Sequence, residues 1–422
     1  MPKQSALKIT IWILAAVPFI MVLGNSMLIP VLPAIQKSLN LSLLQAGLLI
    51  TAFSIPAGLT IPFAGLLSDH VGRKTVMAPA LVIYGTGGLL AGLAAIFIAK
   101  PYPYILGARI IQGIGAGGTY QLAMALTGDL IQDQERARVL GLLEAANGLG
   151  KVVSPLAGAT VGLISWYMPF FVYGVLSFPI AAAIWWGTKE PETKRRAESL
   201  PVYAQNLLKI LREKGVNLGA AFLCGAVVLF TLFGLLSLLS DLLEKNFHYG
   251  IFRRGLTIAI PVLVMAASSY YLGIVLKKQL LKIMKWTIIG GLALVALGLF
   301  LFPLAGGVFL KVLYSAFIGL GTGLVLPSLN TLITSSAPSS ERGLVTCLYG
   351  TVRFFGVAIG PPVFGLTAKF GQHFIFWATV GLVVAIALIA LFLIHPDKVL
   401  PDSLKGGGDG KQHSTYKDAT LG

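Results

Sequence analysis

The feature that most constrains this chain is the recurrence, from one end to the other, of apolar runs of 18 or more residues. Each run can cross about 30 Å of hydrocarbon as a helix, the one local fold that satisfies its own backbone hydrogen bonds there. Their repetition excludes a single leader segment. Hydrophobic residues fill 56% of the 422 positions and charged residues only 11%, too few charges to cover a water-facing surface. The runs predict twelve spans at 9–32, 43–67, 75–98, 102–126, 138–163, 166–187, 217–240, 255–276, 285–304, 306–331, 343–367 and 373–394. The expected fold is an all-α, multi-pass integral membrane protein.

The net charge of +16 invites a nucleic-acid reading, and its distribution removes it. Twelve spans put both termini on one side of the membrane. Of the 32 Lys and Arg, 22 fall on that side, 6 on the other, and Arg109, Lys151, Lys311 and Arg353 within spans. The positive-inside rule then makes both termini cytoplasmic, and the expected location is the cytoplasmic (inner) membrane. Basic clusters such as Lys194, Arg195 and Arg196 become topology determinants beside lipid, and no nucleic acid is expected as a partner.

The longest polar interruption divides the spans into two groups of six. The expected organisation is an N-terminal bundle at 1–188, a cytoplasmic linker at 189–216, a C-terminal bundle at 217–395 and a disordered cytoplasmic tail at 396–422. Within the linker, Val202 to Lys214 reads as an amphipathic helix on the cytoplasmic face. An internal repeat supports the division. A shift of 206 positions lays Gly113, Gly115 and Gly117 on Gly319, Gly321 and Gly323, Glu135, Arg136 and Val139 on Glu341, Arg342 and Val345, and Pro155 on Pro361. The halves read as duplicated, pseudo-symmetric six-helix bundles. Such repeats place a binding site between halves near the midplane and expose it to each side in turn.

Between spans two and three lies GLLSDHVGRKTV, Gly65 to Val76. Gly65 permits close helix contact, Asp69 can take backbone or cationic donors, Gly72 allows a tight turn, and Arg73 and Lys74 hold the cytoplasmic side. The stretch resembles the cytoplasmic signature of the major facilitator superfamily, and a degenerate copy with Gly273, Lys277 and Lys282 follows span eight. The resemblance implies that Asp69 belongs to a charge-based latch on one access state; a turn with topology charges is the plainer reading.

Span four carries RIIQGIGAG, Arg109 to Gly117, similar to the superfamily's second signature. A membrane-interior arginine needs a cavity or a partner, and Gln112 lies one turn on. In relatives of this type the arginine is implicated in proton movement or substrate contact; a structural bond to nearby carbonyls is the alternative. Span five, Gly141 to Ala159, resembles the antiporter signature at Gly141, Gly150, Pro155 and Gly158, with Ser154 and Ala159 replacing two glycines. That resemblance is to the twelve-span drug:proton antiporters of multidrug efflux and implies export.

Glu144, Asn147 and Lys151 form a polar stripe on one face of span five. A carboxylate that moves between dry and wet surroundings can give up and regain a proton, so Glu144 is the candidate proton site, with Lys151 or Arg109 setting its affinity. The alternative is a Glu144–Lys151 pair or a carboxylate reaching cytoplasmic water. Arg353 occupies the repeat position of Asn147, to attract anionic groups or to bond helix carbonyls.

Family analogy assigns the cavity wall to spans one, four, seven and ten. Their candidates are Asn25 and Met27, which with Ser26 interrupt span one, then Gln112, Tyr120 and Gln121, Phe230 and Phe233, and Asn330. Aromatics, Met and amides suit amphiphilic organic compounds. No metal site is expected, because Cys224 and Cys347 lie in apolar runs and His70, His248, His373, His395 and His413 form no ligand-spaced cluster. Nor is there a phosphate-cradling loop or a catalytic triad, so no cofactor and no enzymatic activity are expected.

The reading is proton-coupled export of small amphiphilic compounds or drugs, with the proton gradient as energy source and the chain working as a monomer. The alternative is a dedicated exporter of an endogenous siderophore, peptide or lipid-linked compound, recognised through Lys151, Arg353 and Arg109. The orientation is testable. Single cysteines introduced near either terminus of a cysteine-free variant are expected to resist a membrane-impermeant thiol reagent added to intact cells; labelling of one terminus alone refutes an even number of spans.

Overall fold

A computed structural model describes residues 2–131, 133–188, 200–336 and 342–396, and among these there is no β-strand. The twelve-span, all-helical architecture is present. Ten spans are long and apolar enough to be recognised individually: Leu7–Leu39, Leu43–Val71, Arg73–Phe97, Met168–Gly187, Gly215–Lys245, Ile251–Gly273, Ile283–Leu304, Val308–Ser336, Gly343–Gly365 and Gln372–Leu393. The other two are spans four and five, and each departs for a local reason. Span four is not the single helix expected: it is Tyr102–Gly117 followed by Tyr120–Leu130, broken at Gly118–Thr119 beyond the glycine cluster. Span five, Asp133–Gly162, is continuous but carries the polar stripe.

Local sequence sets the span ends. Ser42 and Gln45 form a reciprocal cap at the start of span two, Ser42 Oγ accepting from the Gln45 amide at 3.2 Å and Gln45 Oε1 from the Ser42 amide at 2.8 Å. Gly72, at φ 103°, separates spans two and three in a single residue, a conformation that favours glycine. Span one is interrupted where expected: its helix ends at Ser26, a 3₁₀ turn covers Ile29–Val31, and helix resumes at Leu32–Leu39.

Two connections are helical throughout. Residues 200–214, which contain the expected amphipathic helix Val202 to Lys214, run without a break into span seven as one helix, Leu200–Lys245. Spans eight and nine are joined by helical backbone through Ile251–Leu301. A straight helix would put residues 261 and 298 about 55 Å apart. Both instead lie against Ile318 and Gly319 of span ten, so the chain reverses between them. The rest of the linker at 189–199, Glu341 and the tail from 397 onward lie outside the described residues.

The repeat seen in sequence is a repeat of contacts. A Cβ on Gly113 would stand 2.2 Å from the Phe53 carbonyl oxygen of span two; on Gly319 it would stand 2.1 Å from the Pro261 oxygen of span eight. Gly115 meets Ala80 and Tyr84 of span three as Gly321 meets Gly291 and Val295 of span nine. In both bundles, then, the fourth span presses backbone to backbone on the second and third.

The halves meet between spans two and eleven, between spans five and eight, and where Gln36 Nε2 donates to Asp241 Oδ1 of span seven at 3.2 Å. Spans two and eleven run antiparallel in contact, from Leu44 with Gly365 through Gly47 with Pro361 to Gly65 with Cys347. Thr51 Oγ1 donates to the Ala358 carbonyl at 2.5 Å and Thr351 Oγ1 to that of Gly58 at 2.8 Å. Spans five and eight meet on the far side, where Gly255 packs on Ala159 and Pro155 and Gly162 faces Ile251; nearer the termini, a Cβ on Gly141 or Gly148 would meet nothing within 4 Å.

Gly113→Ala and Gly319→Ala are each expected to cost about 1–3 kcal/mol by overpacking. Gly107→Ala, where nothing lies within 4 Å, should be neutral. Thermal unfolding in detergent measures this, and equal melting of all three variants would refute the contact repeat as a source of stability.

Candidate functional site

A cavity opens between the halves, and its wall is built from both. Met21, Val22, Asn25 and Ser26 come from span one, Phe53 from span two, Tyr120 and Gln121 from span four, and Asn147 and Lys151 from span five. Leu229 and Phe233 of span seven face them, with Gly350, Arg353, Phe354 and Val357 of span eleven. Of the residues expected to line a cavity, Asn25, Tyr120, Gln121, Phe233, Lys151 and Arg353 are therefore brought together. Met27, Gln112, Phe230 and Asn330 are not part of this wall. Met27 is fully buried beside the break in span one, where its carbonyl takes the close approach of Gly158; Phe230 packs on Phe364 at 5.8 Å within the C-terminal half. Spans two, five and eleven supply wall that the analogy gave to span ten.

Arg109 is fully buried and is occupied inside the N-terminal bundle. Its Nε donates to the Leu49 carbonyl at 3.0 Å, and its Nη1 to the Gly24 carbonyl at 2.8 Å and to Gln112 Oε1 at 2.6 Å. Its Nη2 donates to Asn25 Oδ1, and the guanidinium lies 4.5 Å over the Phe53 ring. Four of its five N–H groups thus tie spans one, two and four together where span one loses its helix. The arginine reaches the cavity wall through Phe53 and through Asn25, whose Nδ2 also donates to Ser54 Oγ at 2.8 Å.

Glu144 lies on the terminal-side half of span five and is solvent-exposed. Tyr120, a cavity residue, donates its hydroxyl to Glu144 Oε1 at 2.5 Å, so the carboxylate borders the cavity from its rim. Lys151 stands two turns further in, and Arg353 faces the same space from the other half, its guanidinium 5.3 Å from the Tyr349 ring centroid. Asn147 joins them at 5% exposure.

The antiporter-like residues of span five do different things. Gly158 abuts the Met27 carbonyl, Gly150 lies against Phe19, Ser154 Oγ donates to the Gly150 carbonyl, and the Pro155 oxygen takes the approach of Gly255; Gly141 has open space around it. Of these residues Gly150 and Gly158 pack on span one of the same half, and Pro155 meets span eight of the other.

At the terminal side, Arg73 joins Asp69 at 2.8 Å and Asp129, at the end of span four, at 3.0 Å, with Ser68 Oγ accepting at 3.0 Å. Lys74 Nζ donates to the Thr188 carbonyl at the end of span six at 3.1 Å. Gly65 contacts Cys347 of the other half. Asp129 was not singled out from sequence; its position at a span end gave no sign of the partner across the fold. Side chains of Lys277 and Lys282 lie outside the described residues. Among the described residues no three His, Cys, Asp or Glu side chains gather to hold a metal ion.

Comparison with known proteins agrees with this architecture. The Major Facilitator Superfamily profile matches residues 14–361 and 285–417. The chain is 34% identical over 387 residues to the bacillibactin exporter of Bacillus subtilis (strain 168), covering 91% of this chain and 96% of that protein. It is 28% identical over 391 residues to the multidrug efflux protein YfmO of the same organism, covering 91% and 92%. A bacterial homolog to the human lysosomal transporter Spinster, solved in an inward-facing and occupied conformation, has the same fold, with a TM-score of 0.75 at 17% identity over 95% of this chain and 99% of that one. With duplicated six-span halves, a signature turn at Gly72 and a profile match across most of its length, the chain belongs to the major facilitator superfamily.

Proposed function

We propose that the chain exports amphiphilic organic acids across the cytoplasmic membrane, with both termini in the cytoplasm. Substrate enters the cavity from the cytoplasmic side and leaves after the halves rock about the site. The observation that carries this reading is the cavity: one cation from each half, Lys151 and Arg353, in a wall otherwise made of aromatic, aliphatic and amide side chains. Apolar wall holds the body of a substrate and the cations hold its acidic groups. The relative named as a bacillibactin exporter supports export of a dedicated metabolite. The wall is assembled within one chain, which supports action as a monomer.

A second reading, proton-coupled export of drugs, is favoured by Glu144, bonded to a cavity tyrosine on the terminal side, and by the multidrug relative. The two readings assign this carboxylate opposite effects. Antiport needs proton and substrate to exclude one another. Ionised Glu144 would hold a basic or hydrogen-bonding drug, and a proton would expel it. For an acid the sign reverses, because protonation removes a negative charge from the neighbourhood of Lys151 and tightens binding.

Glu144→Gln separates them. In inverted vesicles supplied with extract from cells lacking the transporter, and read by mass spectrometry, the variant should still concentrate acidic metabolites and bind them several-fold more tightly. Loss of pH-gradient-driven accumulation with exchange intact would overturn the acid reading in favour of proton antiport.

A further inference from the structure

At the end away from the termini, the C-terminal half carries a connected surface of rings and cations. Phe370 and Phe374 pack at 6.0 Å, His373 meets Trp377 at 5.5 Å, and Trp377 stacks on Phe300 of span nine at 6.3 Å. All five rings are exposed. Behind them Phe302 and Phe376 are buried face to face at 4.8 Å. Two lysines frame the rings. Lys369, exposed in the turn before span twelve, stands over Phe370 with its Nζ 5.4 Å from the ring centroid. Lys311, 7% exposed near the start of span ten, lies 4.7 Å over Phe302 and donates to the Phe302 carbonyl at 3.4 Å. The duplication does not account for Lys311, because the 206-residue shift lays it on Ile105, a fully buried apolar residue of span four. A cation at that depth calls for a counter-charge.

The chain has none to supply there. Of its 16 Asp and Glu, the twelve-span arrangement leaves Asp241 and Glu244 at the end away from the termini, and these already pair with Lys245 and Arg254. No side chain caps the first turn of span twelve after Gly371, and the buried Gln372 Nε2 of that turn has no hydrogen-bond partner among the described residues. Two lysines, an uncapped helix start and an idle amide donor all call for a negative group from outside the chain. We propose that this surface seats an anionic phospholipid of the leaflet opposite the termini, with its phosphate at the turn carrying Lys369 and Gln372 and an acyl chain along Phe374, Trp377 and Phe300. The rings form a stiff apolar wall for the chain, and the lysines select an acidic headgroup over a zwitterionic one. Spans nine and twelve belong to the same half, so the seat persists whichever way the halves are turned.

The test is one of lipid binding, so its failure leaves the export reading standing. Phosphatidylglycerol and phosphatidylcholine probes, each with a photoactivatable diazirine in one acyl chain, are reconstituted with the full chain and irradiated, and the labelled peptides are read by mass spectrometry. Phosphatidylglycerol should label residues 300–309 and 370–377 several-fold more than phosphatidylcholine does. Lys369→Gln should lower that labelling about fivefold, the attraction of one basic side chain at a membrane surface, and leave phosphatidylcholine labelling unchanged. Lys369→Arg should match the parent protein, and Lys311→Met should also lower the labelling. Lys100→Gln, which removes an exposed cation from the same end of the N-terminal half, should not. Equal labelling by the two lipids in the parent, or phosphatidylglycerol labelling unmoved by Lys369→Gln, overturns the seat. Should Lys311→Met fail to fold, Lys369→Gln at its exposed position decides alone.

Discussion

Everything in this protein hangs on backbone pressed against backbone. Lipid tails are as apolar as leucine, so burying apolar surface between helices gains little in a membrane, and association falls to dispersion at short range. The contacts of Gly113 with Phe53 and of Gly319 with Pro261 are the closest form of that interaction, and the duplication carries it unchanged from one half to the other. Two internally tight bundles follow. The halves then touch along the length of spans two and eleven, and spans five and eight touch on the far side.

The three cations in or near the cavity show how hydrogen-bond accounting separates support from recognition. Arg109 spends four donors on carbonyls and amides, so its charge is spread over groups that would otherwise be unsatisfied where span one stops being helical. Its reach to the cavity is a positioning one, through Phe53 and Asn25. Among the described residues Lys151 and Arg353 make no comparable set of hydrogen bonds, and on the proposed acid-export reading they are the groups a ligand would answer.

Much of this was legible in the sequence because it is carried by backbone chemistry. Gly72, the Asn25–Ser26–Met27 interruption and the 206-residue repeat all reappear as a positive φ, a helix break and paired contacts. What could not be read was which face of each span looks inward. A helix in lipid is apolar all round, so periodicity gives no direction. Phe53 and Phe354, which line the cavity and approach each other across the seam with ring centroids 6.5 Å apart, were indistinguishable from lipid-facing phenylalanines. Asn330 and Phe230 looked equally suitable and lie off this wall. The glycines of span four were legible as contact residues, but not that the helix ends at Gly117.

The sign of the cavity also bears on what drives transport. An acid leaving a cell whose interior is negative moves down the electrical gradient, by about 2.3 kcal/mol per charge for each 100 mV. Such a substrate brings its own driving force and needs no proton in exchange. A proton arriving on Glu144 would moreover raise the positive charge beside Lys151 and tighten the hold on the acid at the moment of release. Proton antiport through the same carboxylate is effective only for a substrate that is neutral or basic, where the proton and the substrate compete for one negative charge. The chemistry of the cargo and the source of energy are therefore one question in this cavity, and the proposed export of acids ties both to Lys151, Arg353 and Glu144.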